Sequence, residues 1–305
     1  MFQQNAFVTF LHKNRWALWL LILLVILLWG YAWVFMKLSL NYMGPFTFSA
    51  FRFGVGAVTM LLVIWLSRTG LPPRHQWKHF IVVGILQTTI VYLLIMYGLR
   101  FVDAGKSSVL LYSMPMWSSL FAARFLGEKL TPAKLTGLLT GLVGLLTILG
   151  WDIWTNQSMD ILTGELLIIV GAISWGIANV YYRRNLRDAS QLQVNTWQMT
   201  FGAIGIIIAA FVTESGEPLV LNVTSISYIL FTGVLASALC FTAWFVVLSL
   251  IDMVTATIST LLVPVFGLFF SSIILGEHLS TGILIGSGLI IIGIIIAQTS
   301  KSRRT

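Results

Sequence analysis

Long apolar runs separated by short polar breaks fill almost the whole chain. The breaks carry glycine, proline or charge, as in Met43-Gly44-Pro45 and Glu214–Pro218. A helix needs roughly 20 apolar residues to cross a bilayer, so this pattern predicts about ten transmembrane helices. The predicted spans are Trp16–Met36, Phe46–Leu66, Lys78–Leu99, Lys106–Leu126, Ala133–Gly150, Thr163–Arg183, Gln193–Val212, Ser225–Leu248, Met253–Leu275 and Thr281–Gln298.

The composition agrees with a membrane protein. The chain has 305 residues, of which 58% are hydrophobic and 9% charged, whereas an ordinary soluble domain is roughly one quarter charged. A soluble fold could not cover so much apolar surface, but a lipid-facing fold needs no such cover. The first apolar run follows basic residues, as in a signal peptide, yet its length and its aromatic residues favour a first membrane helix.

The positions of lysine and arginine predict the orientation in the membrane. If the N-terminus is cytoplasmic, most basic residues fall on the cytoplasmic side, and only Lys37, Arg100 and Lys106 fall outside. This is the bias expected of membrane proteins, and it predicts that both termini are cytoplasmic. The net charge of +8 is therefore mainly a topological signal, and a nucleic-acid partner is not expected. The predicted external segments are acidic and contain Asp152, Asp160, Glu165, Glu214 and Glu217.

The chain contains an internal repeat. Trp29-Gly30 recurs as Trp175-Gly176, and Pro115 with Leu126-Gly127-Glu128 recurs as Pro264 with Leu275-Gly276-Glu277. The pattern predicts two related halves, residues 1–150 and 151–305, with five spans each. Because five is odd, the second half must enter the membrane from the opposite side. Inverted repeats around a central site are a recurring design of transporters.

The Trp-Gly pairs, the duplicated proline and the duplicated Leu-Gly-Glu together resemble the EamA-type permeases of the drug/metabolite transporter superfamily. The resemblance covers nearly the whole chain. It implies ten helices in two inverted halves, cytoplasmic termini, a central cavity lined by the first four helices of each half, and a peripheral fifth helix in each half. It also implies transport of amino acids, nucleosides, drugs or other metabolites, often outward.

Several residues are candidates for binding a substrate. Arg52 is the one ionisable residue well inside a predicted span, and it could bind a carboxylate or phosphate or instead extend to the membrane surface. Its repeat counterpart is the uncharged Gln198. Aromatic walls with few polar groups suit small organic ligands and amines, although tryptophan and tyrosine are also common at membrane interfaces. The remaining candidates are Trp29, Trp33, Tyr92, Tyr112, Trp117, Trp175, Asn179 and Trp244.

Prolines and glycines give further predictions. Pro115 and Pro264 deprive Leu111 and Thr260 of helical hydrogen bonds, so each predicts a kink that either shapes the cavity as a hinge or is static. Small residues spaced by four allow helices to pack closely, which predicts scaffolding or a homodimer. This spacing occurs at Gly137 and Gly141 and at Gly282 and Gly286.

Little in the sequence points to catalysis. The histidines, the single cysteine and the acidic residues show no metal-ligand spacing, and no cofactor is expected. Glu128 and Glu277 are expected to support the turns and the helices that follow them, and no acidic residue lies at the centre of a predicted span. The sequence therefore predicts a secondary transporter in the cell membrane, with export favoured, that moves small organic metabolites such as amino acids by alternating access. The alternatives are a membrane-embedded enzyme or a channel-like subunit.

Overall fold

The computed structural model describes residues 6–128, 130–154, 158–250 and 259–299, and every regular element within these ranges is helical. The helices are α1 (Ala6–Lys13), α2 (Arg15–Ser39), α3 (Pro45–Leu66), α4 (Arg74–Gly98), α5 (Ala104–Leu111), α6 (Met114–Phe125), α7 (Pro132–Trp154), α8 (Met159–Asn185), α9 (Gln191–Glu214), α10 (223–250), α11 (Leu262–Leu275) and α12 (Thr281–Thr299).

Within these ranges, seven helices are long and apolar enough to cross a membrane, namely α2, α3, α4, α7, α8, α9 and α10. The shorter apolar helices α11 and α12, together with the pair α5 and α6, provide the remaining spans. The prediction of an all-helical membrane protein with about ten spans is confirmed. The fourth predicted span is two helices separated by a turn, and the predicted start of the ninth span at Met253 lies outside the described residues.

The surface of the bundle is apolar where a bilayer would surround it. Large hydrophobic side chains such as Trp65 on α3, Val170 on α8 and Ile208 on α9 are exposed. A soluble monomer rarely exposes so large an apolar area. The lipid bilayer is therefore the partner that covers these helices.

Equivalent helix crossings relate the two halves. A Cβ atom added to Gly30 of α2 would lie 2.8 Å from Cβ of Phe266 on α11, and one added to Gly176 of α8 would lie 2.8 Å from Cβ of Trp117 on α6. Glycine lets two helix backbones come this close. The glycine of each Trp-Gly pair therefore marks a crossing between a first helix and the fourth span of the opposite half.

A second pair of crossings follows the same rule. A Cβ atom at Gly84 of α4 would lie 2.6 Å from the carbonyl oxygen of Gln198 on α9, and one at Gly233 of α10 would lie 2.7 Å from that of Arg52 on α3. Each third span thus crosses the second span of the other half. This exchange of partners between halves is the contact pattern of two repeats related by a pseudo-two-fold axis, and the inversion of the second repeat stays a prediction.

Glycine faces join the fifth spans, α7 and α12. Gly137 of α7 packs against the backbone of Gly293 on α12, and Gly286 of α12 packs against Ile148 of α7. Gly282 is also buried. A side chain at Gly141 would meet Met116 of α6, and the backbone of Gly141 also packs against Gly293 of α12. These glycines serve packing within one chain, and a homodimer stays a prediction.

The substitution Gly137→Leu should destabilise the fold, because the added side chain would overlap the backbone of α12. We expect a loss of about 1–3 kcal/mol, the usual cost of overpacking. Thermal unfolding in detergent would measure it. Gly288→Leu is the matched control, since nothing lies within 4 Å of a Cβ atom there. Equal thermal stability of the two variants would contradict the packing described for α7 and α12.

Candidate functional site

A cavity of about 180 Å³ lies at the centre of the bundle, between the two halves. Seven of the ten predicted binding residues line it. An apolar cavity of about 150 Å³ holds a benzene-sized molecule, so this one has room for a small organic ring. Its lining residues are Trp29, Ala32, Trp33, Met36, Arg52, Tyr92, Leu111, Tyr112, Met114, Trp175, Phe241, Trp244 and Thr260.

Trp29 is fixed at the cavity wall by contacts with α10. Its indole Nε1 donates a hydrogen bond to the carbonyl oxygen of Ala236 at 2.8 Å. Its ring meets that of Trp244 edge-on, with centroids 5.6 Å apart, and lies 5.2 Å from that of Phe241. These contacts hold one aromatic wall in place before any ligand binds.

Wide π-helical turns provide the carbonyl groups at this interface. Such turns occupy Gly84–Ile90 in α4 and Phe231–Leu239 in α10, at matching positions of the two halves. They are rare in proteins and frequent at functional sites. Ala236 in the second segment accepts from α2, and Leu86 in the first accepts from Ser174 of α8 at 2.7 Å. Hydrophobic periodicity carries no signal for these turns, so the sequence did not predict them.

Arg52 lies inside the bundle and not at the membrane surface, with an exposed fraction of 5%. Its Nε donates to Oγ of Ser237 on α10 at 3.2 Å, and its Nη1 lies 2.9 Å from Sδ of Met36 on α2. Its Cζ lies 4.9 Å from the ring centroid of Tyr92 and 5.0 Å from that of Phe53. Aromatic faces stabilise a guanidinium at these distances.

The cavity has a positive charge. Arg52 is the one charged residue among the described lining residues, and no described carboxylate forms an ion pair with it. A buried charge is costly unless it is paired. An anionic group in the cavity would provide the missing partner.

Three predicted binding residues lie outside the cavity. Trp117 packs at the crossing with α8, and its Nε1 donates to Oγ of Ser113 at 3.2 Å. Asn179 joins α8 to α6 through Oγ of Ser118 at 3.1 Å. Gln198 is buried and bonds a neighbouring amide of its own helix, α9. These three residues are aromatic or polar, like the lining residues, but they lie on helix faces that do not border the cavity.

Both fourth spans are interrupted before their proline. The first stops at Leu111 and restarts as α6, in which Pro115 is the second residue; a turn at Leu261 precedes α11, which contains Pro264. Leu111 and Thr260, which lie four residues before the prolines, both line the cavity. The interruptions thus lie beside the cavity, and the hinge role of the prolines stays a prediction.

Carboxylates of the second half cap helices of the first. Glu277 accepts hydrogen bonds from the amides of Ala104 and Gly105, at 2.7 and 3.0 Å, and so caps α5. Glu214 accepts from two amides in the first turn of α3, at 3.0 and 2.7 Å. The prediction that Glu277 supports the helix that follows it is wrong, because Ser280 caps that helix. A carboxylate at a helix N-terminus is stabilised by the helix dipole.

Glu128, the repeat counterpart of Glu277, is bound differently. It forms ion pairs with Arg183 of α8 and with Lys134 of α7, the latter at 3.3 Å. Burial disfavours its ionised form, but the hydrogen bond and charge of Arg183, together with Lys134, outweigh this and lower the pKa of the carboxyl below its usual value. The two Leu-Gly-Glu motifs therefore make unlike contacts at opposite ends of the bundle.

Comparison with known proteins identifies the family. The profile of the EamA-like transporter family matches residues 16–150 and again residues 162–299. The chain belongs to this family. The family assignment and the apolar helices together make the protein a multi-pass membrane transporter.

Named relatives and a solved structure agree with this assignment. The chain is 34% identical to the uncharacterized transporter YoaV of Bacillus subtilis (strain 168), over 93% of this chain and 97% of the relative. It is 22% identical to a probable amino-acid metabolite efflux pump of Escherichia coli (strain K12), over 90% and 93%. A crystal structure with 21% identity has a TM-score of 0.65 and covers 96% of this chain and 100% of the other, which supports the fold.

Replacing Trp29 by phenylalanine should destabilise the protein, because the carbonyl of Ala236 would lose its donor inside the bundle. The expected cost is about 1–3 kcal/mol, that of a buried polar group without a partner. Thermal unfolding in detergent would measure it, with Trp16→Phe as the control at a side chain that is 80% exposed. If both variants unfold at the same temperature, the hydrogen bond from Trp29 to Ala236 does not stabilise the aromatic wall of the cavity.

Proposed function

We propose that the protein is a secondary transporter that moves small organic metabolites, amino acids among them, across the cell membrane by alternating access, with export as its direction. The observation that carries the proposal is the aromatic cavity between the two halves, which contains the buried, positively charged Arg52. Inverted repeats with a site at their interface are typical of carriers.

The substrate carries a carboxylate group. The guanidinium of Arg52 is held by Ser237 and by aromatic faces, and it is not bound to a described carboxylate. A planar guanidinium binds carboxylates through two parallel hydrogen bonds. The aromatic walls would contact the apolar part of the substrate. An amino group would meet the faces of Trp29 and Trp175, which attract cations.

The paired crossings support alternating access. Each first span and each second span contacts the half to which it does not belong, through glycines at equivalent positions. Two conformations that exchange the roles of these equivalent contacts would have similar energies, and a ligand can shift such an equilibrium. The cavity would then open to one side of the membrane at a time.

Export is the direction named for some relatives. The proteins of Escherichia coli and Salmonella typhimurium that match over 90% of this chain are described as probable amino-acid metabolite efflux pumps. The competing functions are a membrane-embedded enzyme and a channel-like subunit. A carrier saturates and exchanges substrate for substrate, whereas a channel does not exchange and an enzyme changes its substrate chemically.

Arg52→Met should lower transport of carboxylate-bearing substrates by about 10- to 100-fold, which is the worth of a hydrogen bond to a charged group. The measurement is counterflow in proteoliposomes loaded with amino acids, nucleosides or amines in turn. Arg100→Met is the matched control, since Arg100 is an exposed arginine beside Tyr97. Unchanged carboxylate exchange in Arg52→Met would remove the assigned role, and no exchange of any compound would contradict the transporter proposal.

Pro115→Ala should slow transport while leaving substrate affinity nearly unchanged, because a restored backbone amide can close the helix between Leu111 and α6. Counterflow rates and half-saturation concentrations would separate these two effects. Pro132→Ala is the control, since that proline begins α7, where it fits a helix. A full rate in Pro115→Ala would mean that the interruption is static.

A further inference from the structure

A groove on the outer surface of the bundle lies between α3 and α9, the second spans of the two halves. Its volume is about 690 Å³. It is separate from the central cavity, because the two share none of their described lining residues. The groove therefore plays no part in the substrate site described above.

Small residues form the floor of this groove. Ala50 and Gly54 of α3 and Ala210 of α9 line it, and a Cβ atom added to Gly54 would have no atom within 4 Å. Phe211 and Val58 also line it, with exposed fractions of 76% and 58%. The empty space over Gly54 is thus bordered by large apolar side chains. Such a depression gives a hydrocarbon chain more van der Waals contacts than a flat helix surface.

The length of the groove matches one leaflet of a bilayer. Thr47 and Thr59 both line it and are twelve residues apart on α3, or about 18 Å. The hydrocarbon core of a bilayer is about 30 Å thick, so one leaflet contributes about 15 Å. Thr47 lies in the first turn of α3, and Glu214 is the last residue of α9. The groove therefore begins at the membrane surface and runs inward by about one acyl chain.

The end of the groove at the membrane surface is acidic. Glu214 and Glu217 line it, and no basic residue is among the described residues that do so. Glu214 already caps the positive N-terminus of α3, whereas Glu217 is exposed and forms no described ion pair. The C-terminus of α9 adds the negative end of its helix dipole. This end of the groove thus attracts a cation.

The turn that carries Glu217 is held in place by backbone hydrogen bonds. The amide of Glu217 donates to the carbonyl oxygen of Glu214 at 3.0 Å, and the amide of Val220 donates to that of Tyr42 at 2.9 Å. Arg100 borders a separate recess that Glu217 also lines, but no described ion pair joins these two residues. The carboxylate of Glu217 is therefore presented to the groove from a fixed turn.

We propose that this groove binds one membrane phospholipid with an ethanolamine headgroup. An acyl chain lies over Gly54, between α3 and α9. The primary ammonium group donates hydrogen bonds to the carboxylate of Glu217, and the phosphate stays at the membrane surface. A choline headgroup has no N–H donor and a glycerol headgroup has no positive charge, so both bind less well. The bound lipid contacts the second span of each half and thereby joins the halves outside the central cavity.

Native mass spectrometry of the full chain tests the headgroup assignment. The probes are phosphatidylethanolamine, phosphatidylcholine and phosphatidylglycerol with identical acyl chains. The parent should bind the ethanolamine lipid about fivefold more tightly than the other two, the upper range for a charge pair near water. Glu217→Gln should remove this preference. Asp160→Asn, at an exposed acid of α8 that does not line the groove, should keep it.

Equal affinity of the parent for the three lipids would overturn the headgroup assignment, as would an unchanged preference in Glu217→Gln. Glu217 is exposed, so its replacement should leave the fold intact.

The variant Gly54→Leu tests the position of the acyl chain. Its side chain should fill the groove without a clash, so the thermal stability in detergent should stay that of the parent. Affinity for the ethanolamine lipid should fall by about tenfold, the worth of about two buried methylene groups. Gly288→Leu is the matched control, because Gly288 on α12 is equally open and does not line the groove.

Two results would exclude a lipid in this groove. One is an affinity for the ethanolamine lipid that is equal in Gly54→Leu and Gly288→Leu. The other is a parent that is a dimer and a Gly54→Leu variant that is a monomer, since the groove would then be an interface between two copies of the chain. All of these measurements are made without a transported substrate, so their outcome does not depend on the proposed function.

Discussion

Close backbone contact at glycine crossings is the constraint on which the rest of this structure depends. In a bilayer, apolar side chains gain little by leaving lipid for protein, so helices associate mainly where their surfaces fit closely. Gly30 and Gly176 let the first span of each half meet the fourth span of the other, and Gly84 and Gly233 do the same for the third and second spans. The cavity is the space that remains between these crossings.

The charges break the symmetry that the glycines establish. Arg52 faces the cavity, while its counterpart Gln198 is buried against its own helix. Lys106 and Glu165 join the halves at one end, where Glu277 and Glu214 also cap helices. At the other end, Glu128 pairs with basic side chains. In the proposed transport cycle, the symmetric scaffold would allow two conformations, and the unequal charges would determine how a ligand distinguishes them.

Interrupted helices supply the polar groups of the site. In lipid, a backbone group must find a partner within the protein, so irregular turns are confined to protected interfaces. The π turn of α10 gives a carbonyl to Trp29 and holds Ser237 beside Arg52. The turns before Pro115 and Pro264 bring Leu111 and Thr260 to the cavity. An apolar chain with few ionisable residues can thus form a site with directed hydrogen bonds.

The sequence alone determined the membrane class, the approximate number of spans and the internal repeat, because hydropathy, helix length and repeated motifs are local properties. It also named most of the cavity wall, since Trp29, Arg52, Tyr92 and Trp175 combine polarity or aromaticity with a place on the inner helices. Only the tertiary structure decided which face of each helix meets a neighbour. That choice directs Trp117 and Asn179 away from the cavity, turns Glu277 toward α5, and buries Lys106 against Glu165. Such contacts join residues far apart in the chain. The spacing of residues along one helix does not indicate which other helix each face will contact.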